Sequence, residues 1–182
     1  MPMSRVASAP RHPTGTEPTF TERGTRMSTR SYVGVLDVNP DTDARTYRAR
    51  YVHFDGGPDT MPYLIAAVWW HTFGRDGAAT GQALLAHTWE QIGPDITADT
   101  PIMLPGYRPV PGVGMAMPPE ECASQPVTGL LSEPLPDTPL RWMYLIDTGH
   151  PGTLLICANT GRWTVTGRID LAIGRDVVAA PD

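Results

Sequence analysis

The stretch Tyr51-Val52-His53-Phe54-Asp55-Gly56-Gly57-Pro58 constrains this chain more than any other. It closes an apolar run, turns where two adjacent glycines free the backbone, and opens the longest helical pattern in the sequence. A strand must end here and a helix must begin. His53 and Asp55 are two apart, so on extended backbone they leave the same face, beside that turn.

On either side of this corner the patterning reads as follows. Ser31 to Val38 alternates apolar and small residues and stops at Asn39-Pro40-Asp41, which is a strand ending in a turn. Thr46 to Phe54 forms the second strand of a hairpin. Met61, Leu64, Ile65, Val68 and Trp69 make an i, i+3, i+4, i+7, i+8 stripe, with Pro62 tolerated in the first turn and Gly74 at the end. A second helix is expected from Ala78 to Ile92, its apolar side Leu85, Trp89 and Ile92, stopped by Gly93-Pro94. Residues 94–139 hold more than half of the 20 prolines and no stable period, so they read as a long irregular excursion that packs over the surface. Two apolar runs, 140–147 and 153–158, then make a second hairpin, with a short fifth strand near Trp163. The expected architecture is α+β: an antiparallel sheet of about four to five strands in the order ββααββ, with a helical hairpin on one face. Residues 1–26 lack any apolar period and read as a disordered tail, with Met27 an alternative start. Residues 27–173 form one α+β domain, and 174–182 a fraying C-terminal tail.

Charge narrows the partners. Every one of the 14 basic residues is arginine, a habit of GC-rich genomes such as those of actinobacteria and their phages. Four arginines against two glutamates leave residues 1–26 at +2, so the remainder carries −7 of the net −5. An acidic body disfavours nucleic acid as a partner. No segment has the length and apolarity of a membrane span or a leader, so the expected setting is cytoplasmic. Cys122 and Cys157 fit neither a disulfide framework nor a metal spacing, and no phosphate loop, nucleophile elbow or dinucleotide fingerprint is present. The sequence therefore calls for no cofactor and no metal. His71 and His87 lack a third ligand at suitable spacing, and Asp147-Thr148-Gly149 reads as a hairpin turn rather than a protease loop.

Met27-Ser28-Thr29-Arg30-Ser31, the Gly-Val strand after it, the Tyr51–Gly56 box and the aromatic strand Trp142–Asp147 together resemble a family of small proteins from bacteriophages and mobile elements. Its members begin Met-Ser-Thr-Arg-Ser and carry His-Trp-Asp-Gly-Tyr-Pro, where this chain has Phe54 and Gly57 in place of the tryptophan and tyrosine. The resemblance covers most of residues 27–160 and implies an accessory protein, one that acts against host defences being the suspicion it raises; it brings no reaction with it.

Two readings follow. The favoured one is a non-catalytic binding module for a host protein or a small ligand, a homodimer included, using Arg30, Ser31, His53, Asp55, Gly56 and Trp70. Trp70 enters because adjacent Trp69 and Trp70 cannot both face one core. The alternative is a small hydrolase with His53 and Asp55 as its acid-base pair. Arg30 and Ser31 enter because antiparallel pairing brings the start of the first strand to the end of the second.

Overall fold

The computed structural model describes residues 29–119 and 125–172 and the backbone of Arg175–Ala179. The tail 1–26, the Met27 start and Cys122 lie outside the described residues.

The first hairpin forms as its patterning requires. β1 (Ser31–Val38) pairs antiparallel with β2 (Arg45–Val52) from Ser31↔Val52 to Val38↔Arg45. Asn39 closes the loop, its side-chain oxygen accepting from the backbone N–H of Asp41 at 2.9 Å. Gly34 lies opposite Ala49, and a Cβ at Gly34 would collide with the Arg48 carbonyl and sit 2.7 Å from Ala49 Cα. Glycine is needed there for the backbone approach itself.

The expected antiparallel sheet of four to five strands with a helical hairpin is not what the rest of the chain builds. Ten strands among the described residues join one mixed sheet, side by side in the order β10 (Arg175–Ala179), β9 (Trp163–Asp170), β8 (Thr153–Asn159), β7 (Trp142–Asp147), β1, β2, β3 (Trp89–Ile92), β5 (Gly114–Ala116), β4 (Arg108–Val110), with β6 (Val127–Leu130) also on β2. Among the described residues the helices are two short elements. α1 (Met61–Ala67) runs on into a π-helical turn, Val68–Thr72, and α2 spans Gly77–Ala86, its N-cap Asp76 accepting from Ala79 N at 2.9 Å.

Four departures account for the difference. First, the second helix ends at Ala86, and Trp89–Ile92 is a strand, β3. Trp89 and Ile92, three apart, imitate a helical stripe, but a register shift between Trp89 and Gln91 marks a bulge that turns both onto the same core. Second, residues 94–139 supply β4 (Arg108–Val110), β5 (Gly114–Ala116) and β6 (Val127–Leu130). These strands of three or four residues are too short to show alternation. Third, β1 also pairs parallel with β7 (Trp142–Asp147), register Ser31↔Trp142, so the sheet is mixed. Fourth, β8 (Thr153–Asn159) is followed by a full-length β9 (Trp163–Asp170) and by β10 (Arg175–Ala179), which falls where a fraying end was expected.

β2 forks the sheet. Its outer edge pairs with β6 along Thr46–Ala49 and meets β3 at Val52↔Trp89. Each face has its own core. On the helical face, Val33, Val52, Ile65, Leu84, Trp89, Tyr144 and Ile146 pack together. On the other, Leu36, Tyr47, Ala49, Met143, Leu145, Leu155, Cys157 and Trp163 pack under the chain that follows β6. β7 alternates between these cores, which is why it reads as an unbroken apolar run. Cys157 is a buried free thiol, pushed up to about 12 by its burial.

Two glycines separate close backbone contact from open space. Gly34→Ala should cost about 3 kcal/mol in denaturant unfolding, whereas Gly152→Ala, with no atom within 4 Å of the new methyl, should change stability by less than about 0.5 kcal/mol.

Candidate functional site

The corner after β2 is held from three sides by backbone and one phenol. His53 N donates to Trp89 O at 3.0 Å and Phe54 N to Glu90 O at 2.8 Å, carrying the chain along β3. Asp55 takes φ +57°, and Gly56 N then donates to Thr29 O at 2.8 Å. From beneath, the fully buried hydroxyl of Tyr144 donates to Gly56 O at 2.9 Å. Burial first, and Asp59 second, hold that phenol far above its ordinary range, so it remains a donor. The N–H of Met61 donates to Gly57 O, and α1 begins.

Of the six residues expected here, the structure brings five to this corner. The His53 imidazole is oriented by Tyr51, whose Oη lies 3.1 Å from Nδ1, and its ring meets Phe54 edge-on at 4.4 Å. Arg30 is exposed near Tyr51 and offsets part of the upward shift that burial imposes on that phenol. Asp55 is half-buried in its left-handed turn. Ser31 points the other way, into the core. It is fully buried, its Oγ has no hydrogen-bond partner among the described residues, and a Cβ at Gly56 would lie 2.6 Å from that oxygen. Ser31 and Gly56 therefore shape the corner rather than present chemistry to solvent.

Trp70 stands apart. It is nine residues into the helix that starts at Met61, about 13 Å along the axis, with the Arg75 guanidinium 3.7 Å from its ring centroid. Trp69 turns inward, 3% exposed.

Sequence reasoning overlooked several groups. Glu90, expected on a helix, lies on β3 near His53; burial raises its carboxyl and His53 opposes the shift. A second polar cluster forms where α2 ends. Arg50 Nε donates to Leu85 O at 2.9 Å, and Arg108 Nη2 donates to His87 Nε2 at 3.0 Å. His87 is thus an acceptor, and burial, then Arg108 and Arg50, lower its pKa. Asp147-Thr148-Gly149 is a turn: Asp147 Oδ1 accepts from Gly149 N at 2.9 Å and Oδ2 lies 3.3 Å from His150 Nδ1. No group of three or more His, Cys, Asp or Glu among the described residues could hold a metal, and no helix among them is long and apolar enough to cross a membrane.

Each face of the sheet carries a cavity among the described residues. One of about 210 Å³ lies under α2, against Val35, Arg48 and Thr148. The other, about 300 Å³, lies on the opposite face against Tyr32, Tyr47, Glu133 and Trp163. Neither is lined by His53 or Asp55. The chain matches no protein-family model, and no curated protein or solved structure is significantly similar to it.

Two measurements probe this geometry. Tyr144→Phe strands the buried Gly56 carbonyl and should cost about 1–3 kcal/mol. Because the folded-state pKa of His87 lies below its ordinary 6.5, the unfolded chain binds the proton more readily. The contribution of His87 should be present above pH 6.5 and fade as pH falls below it, and His87→Gln should flatten that part of a stability-against-pH curve.

Proposed function

We propose that this protein is a non-catalytic binding module, a small accessory protein of phage or mobile-element origin acting in the cytoplasm on a host protein. The observation that carries this reading is the exposure of large aromatic side chains on the corner and the helix it launches: Phe54 is 38% and Tyr63 64% exposed. Exposed aromatics beside arginine and histidine are the composition of recognition surfaces, and Arg30 and His53 supply the polar rim here. The corner is also rigid, pinned by Thr29, Trp89, Glu90 and Tyr144, so little order need be gained on binding. Action against host defences fits such a module and draws on the Met-Ser-Thr-Arg-Ser and His-Phe-Asp-Gly segments.

A hydrolase with His53 and Asp55 as acid and base draws support from the Tyr51 contact that orients the imidazole. Binding is favoured over it by the exposed aromatic side chains Phe54 and Tyr63 beside that pair.

The test is affinity capture from a permissive host with the wild type and a Phe54→Ala/Tyr63→Ala variant. A specific protein captured by the wild type should be lost at least tenfold with the variant, at unchanged melting temperature. Equal capture by both would reject the corner as the recognition surface, and a hydrolytic activity abolished by His53→Ala would replace binding with catalysis.

A further inference from the structure

Between β3 and β4 the chain makes a loop whose tip, Pro101-Ile102-Met103-Leu104-Pro105-Gly106, is exposed at every position. Ile102 is 54%, Met103 84% and Leu104 52% exposed. None of the six residues carries a charge or a polar side chain. Single exposed apolar side chains are ordinary on a folded protein; three large ones in succession are not.

The tip is held in position by its base. On one side Thr97 N donates to Thr100 Oγ1 at 2.8 Å, and Thr100 N to Thr97 O at 3.1 Å. On the other, Leu104-Pro105-Gly106-Tyr107 turns with Gly106 at φ +84°, and β4 follows. Gly112 N donates to Ile96 O at 2.7 Å and ties the two sides together, with Ile96 buried. Thr72 Oγ1 donates to Gly112 O, which joins this base to the π-helical turn that carries the exposed Trp70.

We infer that this tip docks on the surface of a zwitterionic phospholipid bilayer, inserting Ile102, Met103 and Leu104 among the acyl chains. Residues 101–103 are not helical, and successive side chains there leave the backbone in different directions, so the apolar surface wraps around the tip. A protein groove covers one side of such a segment, whereas fluid hydrocarbon surrounds all of it. The tip also lacks the tryptophan, tyrosine and arginine anchors on which protein recognition relies. Tyr107 follows it and Trp70 belongs to the element joined to its base, and rings of this kind favour the headgroup level of a bilayer. Charge completes the match. Asp95 and Asp99 precede the tip and Arg108 follows it, so both signs flank an uncharged insert, complementary to a headgroup of ammonium and phosphate. The −7 carried outside residues 1–26 disfavours anionic lipid. The contact is peripheral and made by a loop, not a span. It is separate from the corner proposed for protein recognition, and neither proposal requires the other.

The experiment is flotation of the full-length protein with vesicles of phosphatidylcholine, alone or mixed with phosphatidylglycerol. Three partly inserted side chains bury less apolar surface than a myristoyl chain, so half of the protein should float at about 1 mM lipid. Met103→Asp should weaken vesicle affinity at least tenfold at unchanged melting temperature, because Met103 touches little of the fold. Ile102→Ser/Leu104→Ser should do the same, and decides the matter if Met103→Asp fails to fold. Phe54→Ala/Tyr63→Ala should float like the wild type, which separates this contact from the corner. Binding should survive high salt and gain nothing from phosphatidylglycerol. No flotation at about 10 mM lipid would overturn the inference, as would binding that needs phosphatidylglycerol and is released by salt. Capture of a host protein lost with Met103→Asp, without flotation, would assign the tip to protein recognition instead.

Discussion

The parallel pairing of Ser31–Leu36 with Trp142–Asp147 holds this molecule together, because it joins two hairpins separated by more than a hundred residues into a single sheet. Both strands are central, and most residues of β7 are buried. A central strand buried on both faces needs cover on both, and the chain supplies it in two ways. α1 and α2 close one face; β6 and the Pro-rich segment after it close the other. The same pairing places Tyr144 under the corner, where its hydroxyl reaches Gly56. Local turn chemistry starts the corner, and a residue from the far end of the chain secures it.

The corner and the cavity against Trp163 are joined by a row of rings. Phe54 meets His53, His53 meets Tyr51, Tyr51 pairs across the hairpin with Tyr32, and Tyr32 meets Trp163 in the cavity wall. All sit on or beside the first two strands except Trp163, which β9 brings in. Alternation along β2 separates this row from the arginines. Tyr47, Ala49 and Tyr51 face one way, while Arg48 and Arg50 face the other, to Asp37 and to the end of α2. One eight-residue strand thus serves an aromatic surface and a charged one.

What could be read in the sequence was local. The first hairpin, the corner, the start of α1 and the Asp147–Gly149 turn all follow from alternation, glycine placement and side-chain capping within a few residues. The convergence of Arg30, Ser31, His53, Asp55 and Gly56 was also legible, since antiparallel pairing across a short loop dictates it. The reading failed where spacing was ambiguous or strands were short. Trp89 and Ile92 carry a helical interval on a bulged strand, and β4 and β5 are three residues each, between prolines and glycines. Glu90 was hidden by the first of these errors, and the aromatic cavity by the sheet order, which no local pattern encodes.

The sequence by itself therefore determined the hairpin of β1 and β2, the turn at Asp55-Gly56-Gly57 and the helix that follows, because each rests on backbone preferences and periodicities spanning a dozen residues or fewer. Tertiary structure alone decided that β1 lies beside β7, that β2 is shared between β3 and β6, and that Tyr32, Tyr47, Glu133 and Trp163 surround one cavity. Those contacts join segments that lie from 37 residues apart, at Val52 and Trp89, to 131 apart, at Tyr32 and Trp163. They are chosen by which buried faces can cover one another, a property of the whole chain's packing rather than of any stretch within it.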